Sequence, residues 1–418
     1  MDLRITGELA GSIAVPPSKS IAHRMLICAA LADGPSILAC GEYGYDVEVT
    51  ANCLRDLGAT IKYSDGTFRV WPIDKVEKRC RLDCAESGST LRFLLPVSAA
   101  LGADVTFCGS KSLEGRPLSP LYEEMEKHGV TMSEQGVFPL SCLGQLNGGE
   151  YNIDAGISSQ FISGLLMALP LVGESSTITL LGEKQSTPYI ELTINALRHA
   201  GIGIERTPQG FSIQGRQRYG ALNCSIEGDW SAAAFWLVAG AAGKSAIECK
   251  GVDTGRSLQG DKAIVDILRR MGATIRDTDY GIRAFPSALT GTEIDCRDIP
   301  DLVPVLAVAA ACAQGVTTFS GVSRLRLKES DRIATISSML QSFGIRAESS
   351  QDTLTVTGGH PHACHTSSFG DHRIAMASAI LAAQCGEPVR LDGADCVAKS
   401  YPMFFQDFNR LGGHIETL

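Results

Sequence analysis

Hydrophobic positions along this chain fall into two alternating kinds of segment. The first is an amphipathic stretch closed by glycine and followed by two short alternating runs with a turn between them. Its copies read LRDLGATIKYSDGTFRV, MEKHGVTMSEQGVFPL, LRHAGIGIERTPQGFSI, LRRMGATIRDTDYGIRA, LQSFGIRAESSQDTLTV and FNRLGGHIETL. This pattern predicts helix, strand, turn and strand. Gly58, Gly129, Gly201, Gly272, Gly344 and Gly412 are then the left-handed residues that stop each helix. The second kind is apolar nearly all round: AHRMLICAALADG, LRFLLPVSAALG, FISGLLMALPLVG, AAAFWLVAGAAG, VPVLAVAAACAQG and RIAMASAILAAQCG. These close at Gly34, Gly102, Gly173, Gly243, Gly315 and Gly386. A helix without a polar face has to be buried on every side.

Both glycine series advance in steps of 68 to 72 residues. A period shared by two independent series marks an internal repeat. Each unit reads as β-α-β-α-β-β, and six units make two domains of three. The sixth unit ends early, with one short strand after Gly412, so the N-terminal segment Leu3 to Val15 is expected to supply the strand that completes it. Both termini then belong to one domain, and the chain crosses near residues 15 and 228. The expected fold class is α/β: two similar domains, each of three βαβαββ repeats around buried helices, an inside-out α/β barrel. The domains are 16–228, and 1–15 together with 229–418.

Composition narrows the function. A length of 418 residues suits two domains. A net charge of -9 argues against broad binding to nucleic acid or an acidic membrane, while leaving room for a local cationic pocket. The fourteen cysteines form no CxxC pair, and many sit in apolar runs, as Cys28, Cys312 and Cys385 do. They read as reduced core thiols of a cytoplasmic protein. The N-terminus lacks the pattern of a secretory signal. No apolar stretch reaches the ~18 residues needed to span a bilayer.

The polar residues of interest stand at helix starts: Ser18-Lys19-Ser20, Ser87-Gly88-Ser89, Ser158-Ser159-Gln160, Asp229-Trp230-Ser231, Asp301 and Asp371-His372-Arg373 before the apolar helices. The amphipathic helices are expected to start near Arg116-Pro117, Ser186 to Tyr189, Lys328 to Arg332 and Lys399 to Pro402. Capping accounts for serines and aspartates there. It does not account for Lys19, Arg24, Arg116, Lys328, Arg332, Arg373 and Lys399, because the positive end of the helix dipole disfavours cations. Helix N-termini joined by cations make an anion site. If these helices aim into the gap between the domains, the field there is strongly positive. Among such cations Asp301 and Glu329 stay ionised and can accept a proton from a hydroxyl. Lys19 can exchange one with a substrate carbon.

The blocks PPSKSIAHRMLICAALA, SGSTLRFLLP, GRPLSPL, SSQFISGLLMALP, EGDWSAAAFWL, IPDLVPVLAV, RLKESDRI, GDHRIAMA and AKSYP resemble, in order and over essentially the whole chain, the 5-enolpyruvylshikimate-3-phosphate synthase family. The resemblance implies the enolpyruvyl transferase fold, two domains of three repeats that close on the first substrate. It implies transfer of the enolpyruvyl group of phosphoenolpyruvate to the 5-hydroxyl of shikimate 3-phosphate, in the shikimate pathway to chorismate and the aromatic amino acids, with release of phosphate. It also implies no metal or organic cofactor, no nucleic-acid or membrane partner, a monomer, and sensitivity to glyphosate. Matched motif by motif, Lys19, Ser20, Arg24, Ser158, Ser159, Gln160, Ser186, Tyr189, Asp301 and Lys328 would hold shikimate 3-phosphate. Lys19, Gly88, Arg116, Gln160, Arg332, Arg373 and Lys399 would hold phosphoenolpyruvate. Asp301 would take the hydroxyl proton, and Lys19 and Glu329 would manage protons at the methylene carbon. His372 reads either as a neighbour of the phosphate or as a helix-start histidine with a structural hydrogen bond.

Three positions depart from the family: Pro17 in place of a glycine, Glu86 in place of an asparagine, and Arg324 where an asparagine often meets the shikimate phosphate. A guanidinium there can also bind phosphate. The related transferase acting on UDP-N-acetylglucosamine shares fold and donor. It usually carries a reactive cysteine where this chain has Lys111, and Lys-Asn in place of Lys19-Ser20. A non-catalytic binder of the same ligands would have no need of Asp301 and Glu329 beside the cations. His360 to His365 holds three histidines and Cys364, but the spacing is too tight for a closed tetrahedral zinc site, and a solvated loop is expected.

Overall fold

The computed structural model describes residues 1–183 and 185–418. Among the described residues twelve α-helices alternate between the two kinds read from the pattern. The apolar set comprises α1 (Lys19–Ala30), α3 (Gly88–Ala100), α5 (Ser159–Ala168), α7 (Trp230–Ala242), α9 (Val303–Ala311) and α11 (His372–Ala382). The amphipathic set comprises α2 (Tyr45–Asp56), α4 (Leu121–Lys127), α6 (Thr187–His199), α8 (Ile264–Arg270), α10 (Arg332–Ser342) and α12 (Phe404–Arg410). Every residue of α9 and α11 is buried. In α1, α3 and α5 the positions left open are all at the start: Lys19, Ser20 and Ile21, then Ser89, then Gln160. All six glycines that close the amphipathic helices have positive φ, as a left-handed stop requires. Of the glycines closing the apolar series, Gly102, Gly315 and Gly386 do so, whereas Gly34, Gly173 and Gly243 do not.

Packing divides the backbone into two compact units, Pro17–Ile226 and Met1–Pro16 with Glu227–Leu418. Each holds three four-stranded sheets and its own hydrophobic core. One sheet shows the plan. Arg79–Asp83 runs parallel to Asp104–Cys108, which pairs antiparallel with Leu140–Gly144, which pairs antiparallel with Val130–Met132.

The linear repeat needs one correction. The N-terminal segment supplies two strands to two sheets. Leu3–Thr6 lies inside the sixth sheet, antiparallel to both Val389–Asp392 and His414–Thr417. Gly11–Ala14 runs parallel to Ile247–Lys250 and serves as the first strand of the fourth repeat. Gly7, at φ +103, turns the chain between them, where an added Cβ would lie 3.0 Å from the Gly413 Cα. The other unit closes in the same way: Asn223–Ser225, the last strand of Pro17–Ile226, pairs with Ser36–Ala39 of the first repeat. Strands from the ends of the units thus complete three of the six described sheets, and the other three draw all four strands from one continuous stretch.

All fourteen cysteines are free. Burial pushes the Cys28 and Cys142 thiols up to about 12, as for inert core residues. His360 and His362 lie exposed outside regular structure, and His365 pairs with Asp392 at 2.6 Å. Among the described residues no cluster of His, Cys, Asp or Glu is placed to hold a metal ion. None of the described helices is long and apolar enough to cross a membrane.

The tightest helix contact in Pro17–Ile226 joins α3 to α5. At Gly164 a Cβ would stand 2.3 Å from the Arg92 carbonyl oxygen. Gly164→Ala is therefore expected to force the helices apart and to cost about 1–3 kcal/mol, measurable as a lower urea midpoint at unchanged slope.

Candidate active site

In Pro17–Ile226 the site residues gather at the N-terminal ends of α1, α3, α5 and α6. Lys19 opens α1, and its ammonium pairs with Asp46 in the first turn of α2 at 3.1 Å. Asp46 suits its place, because a carboxylate is favoured at a helix N-terminus. Arg24 lies one turn further in and is buried. Its nitrogens donate to Thr193 Oγ1 at 2.7 Å, Ser20 O at 2.6 Å and Tyr189 O at 3.0 Å. Burial draws the guanidinium down to about 10. Arg24 thus ties α1 to α6, with its hydrogens turned to protein groups. Beside it, burial first, then Lys19 and Arg24, hold His23 well below the usual imidazole range, so it is neutral.

Gly88 opens α3, and the Arg116 guanidinium stands over it. A Cβ at position 88 would lie 2.8 Å from an Arg116 nitrogen, so any larger residue would push the guanidinium from this place. Ser158 caps α5 by accepting from the Gln160 N–H at 3.3 Å. The Gln160 side chain donates to Ser89 at 2.9 Å and accepts from Arg92 at 2.8 Å. Ser159 and Ser186 are buried at the starts of α5 and α6.

In the other unit the residues converge on one buried guanidinium. Arg332 opens α10 and is 1% exposed. It donates to Asp371 at 2.8 Å, to Asp301 at 2.8 Å and to Glu329 at 2.7 Å. Asp301 also meets Arg373 at 3.1 Å and Lys328 at 3.5 Å. Burial alone would raise the Asp301 carboxyl, but Arg373, Lys328 and Arg332 hold it well below the usual range. Burial lowers Lys328 to about 8, against the pull of Asp301. Asp371 caps α11 through the Arg373 N–H at 2.9 Å. His372 is buried at the first position of α11, with Nδ1 3.8 Å from Asp371. Lys399 is buried at the end of a 3-10 turn, Ala394–Lys399. Arg324 lies in the 3-10 turn Ser323–Leu327, and its charge helps to lower Lys328.

Two expectations change. Arg116 and Lys399 are not in first turns: α4 begins at Leu121 and α12 at Phe404. Pro117 drives Arg116, the residue before it, out of helical geometry, and Pro402 does the same to Tyr401, so the helix that starts at Phe404 cannot include Lys399, which ends the 3-10 turn Ala394–Lys399. The cations are also less concentrated than the sequence suggests. Around Arg332, Arg373 and Lys328 stand Asp301, Glu329 and Asp371, so these named charges balance. Sequence reading missed Asp46 and Arg92 and took Asp371 only as a helix start. Arg92 had a signal, as an arginine in an otherwise apolar helix, whereas Asp46 is marked as a first-turn acid only by the observed start of α2.

Comparison with known proteins adds the following. The family model for EPSP synthase (3-phosphoshikimate 1-carboxyvinyltransferase) matches residues 3–408. A 3-phosphoshikimate 1-carboxyvinyltransferase of Clostridium kluyveri is 41% identical over 413 residues, covering 98% of this chain and 96% of its own. One of Clostridium acetobutylicum is 39% identical over 416 residues, covering 98% and 96%. The structure of EPSP synthase from Acinetobacter baumannii superposes with a TM-score of 0.83 at 25% identity over 100% of both chains. The enolpyruvyl transferase NikO from Streptomyces tendae shares the fold, with a TM-score of 0.78 at 20% identity over 99% of this chain and 98% of its own.

The geometry around Arg332 predicts a large stability effect. Arg332→Met leaves Asp371, itself 0% exposed, without its guanidinium. A loss of about 3–5 kcal/mol is expected, as for breaking a buried ion pair by removing one partner. Chemical denaturation checks it.

Proposed function

The chain belongs to the EPSP synthase (3-phosphoshikimate 1-carboxyvinyltransferase) family, and from that premise we propose how its residues transfer the enolpyruvyl group of phosphoenolpyruvate to the 5-hydroxyl of shikimate 3-phosphate. The observation that carries the reading is the Asp301 carboxylate, ionised among Lys328, Arg332 and Arg373 with Glu329 beside the same guanidinium. Carboxylates there orient the cations, but they weaken the attraction for an anion, and an ionised carboxylate at the site is also a proton acceptor.

In this reading Ser20, Arg24, Ser158, Ser159, Gln160, Ser186, Tyr189, Asp301 and Lys328 bind shikimate 3-phosphate. Gly88, Arg116, Gln160, Arg332, Arg373 and Lys399 bind phosphoenolpyruvate, and Lys19 serves both substrates. The methylene carbon of phosphoenolpyruvate gains a proton from the Lys19 ammonium as the 5-oxygen bonds to the neighbouring carbon, and the Glu329 carboxylate serves to take a proton back in the elimination. Asp301 takes the proton of that hydroxyl. The product of addition is tetrahedral and still carries the phosphate. The carbon–oxygen bond to phosphate then breaks, the methyl group returns a proton to the enzyme, and the double bond is restored. Cations near the phosphate stabilise its departing charge. Arg24 and Ser20 are hydrogen-bonded to each other, which supports a role for Arg24 in fixing the start of α1 as well as in attracting the anion.

Phosphate release with shikimate 3-phosphate, and none with UDP-N-acetylglucosamine as acceptor, is the expected outcome of a coupled assay. The reverse preference would sink this assignment. Glu329→Gln should retain ligand binding while kcat falls about 10²–10⁴-fold, the usual scale of acid–base catalysis. Unchanged turnover would remove Glu329 from the mechanism. Gly88→Ala should displace Arg116 and raise KM for phosphoenolpyruvate. With rising pH, Lys328 loses its proton near its lowered value of about 8. Hence kcat/KM for shikimate 3-phosphate should fall through that pH, and Lys328→Arg, which stays charged, should move the fall to higher pH.

A further inference from the structure

Arg92 lies one turn after Gly88 on the same face of α3, and it is 4% exposed. Long side chains on a helix lean toward its N-terminus. A residue one turn in can therefore serve the rim where Gly88 and Ser89 stand. Its guanidinium packs over the Phe161 ring, 5.4 Å from the centroid. From there it donates to Gln160 Oε1 at 2.8 Å and to the Pro117 carbonyl at 2.9 Å. One buried group thus joins three elements: α3, the start of α5, and the Arg116–Pro117 segment.

The contact with Gln160 has a chemical consequence. A guanidinium only donates, so the atom of the Gln160 amide facing it must be the oxygen. The amide nitrogen is then directed away from Arg92, where it donates to Ser89 Oγ at 2.9 Å. An amide nitrogen carries two hydrogens, and Ser89 takes one. With the oxygen turned toward Arg92, the group the amide presents on its other side is the N–H donor that suits an anionic substrate. The second contact holds the peptide next to Arg116, whose guanidinium stands over Gly88.

We infer that Arg92 is a positioning residue for the transfer: it locks the Gln160 amide donor-outward and anchors the segment bearing Arg116. The inference rests on the reading of Gln160 and Arg116 as substrate-binding groups. Touching neither substrate, Arg92 acts through these two.

A double-mutant cycle with Arg92→Met, Gln160→Ala and the double variant tests it, reading KM for both substrates and kcat. Arg92→Met should raise both KM values about tenfold, the order expected for losing a hydrogen bond to a charged group, with a smaller change in kcat. In the Gln160→Ala background the same substitution should raise KM for shikimate 3-phosphate by much less, because the amide it orients is gone. A residual effect on KM for phosphoenolpyruvate, carried through Arg116, is expected to remain. If Gln160→Ala alone leaves both KM values unchanged, the reading of Gln160 fails and this inference falls with it. If Gln160→Ala does raise KM but the effect of Arg92→Met persists undiminished on both substrates, Arg92 does not act through Gln160 and the inference alone is overturned. Should Arg92→Met fail to fold, Arg92→Lys, which keeps the stem and one donor, carries the same cycle. Its KM values are expected between wild type and Gln160→Ala, and wild-type values would overturn the proposal.

Discussion

A helix without a polar face can offer its surroundings only its ends. In this protein α9 and α11 are buried along their whole length. In α1, α3 and α5 the only positions left open are in the first turn. That constraint decides where chemistry can be placed. The starts of the buried helices carry Lys19, Gly88, Ser158 to Gln160, Asp301 and the Asp371-His372-Arg373 group, and the free backbone N–H groups found there suit anions. The amphipathic helices give their outer faces to solvent. Their glycine stops return the chain to the sheet at a fixed interval, so each repeat presents its helix starts in the same way.

Cations at such positions oppose the helix dipole, and the structure shows how the cost is met. Arg332, at the first position of α10, is enclosed by Asp371, Asp301 and Glu329. Lys19, at the first position of α1, has Asp46. Such pairs hold long side chains in one geometry, at the expense of a weaker net field than cations alone would give. A site built this way attracts anionic substrates less by bulk charge than by charges already aimed. Asp301 has a double use: its neighbours fix it in place and keep it able to accept a proton. Arg24 and Arg92 extend the plan inward, since both are buried and both spend their hydrogens on groups that frame the site.

Much of this was legible in one dimension. The sixfold period, the alternation of buried and amphipathic helices, the left-handed glycines after the amphipathic set and the polar residues at helix starts are all local or periodic properties. Local propensity and the need to bury apolar surface are written residue by residue. The motif blocks, in order, also sufficed to recognise the family. Two prolines were misjudged: Pro117 and Pro402 were read as lying within helix starts, although proline keeps the residue before it out of the helix. For the glycines after the apolar helices no conformation could be read in advance, and only Gly102, Gly315 and Gly386 take the left-handed one.

What the sequence by itself determined was therefore the repeat, the two helix types and the inventory of groups at their starts. Tertiary structure alone decided who meets whom. The short sixth repeat called for the N-terminal segment, but its division into two strands, with Gly11–Ala14 in the sheet of the fourth repeat, is encoded in no local pattern. The same holds for Lys19 with Asp46, Gln160 with Arg92, and Arg332 with Asp301 and Asp371. A charge or an amide advertises its chemistry in the sequence, but its energy depends on distance and burial, and those exist only once the helices have packed.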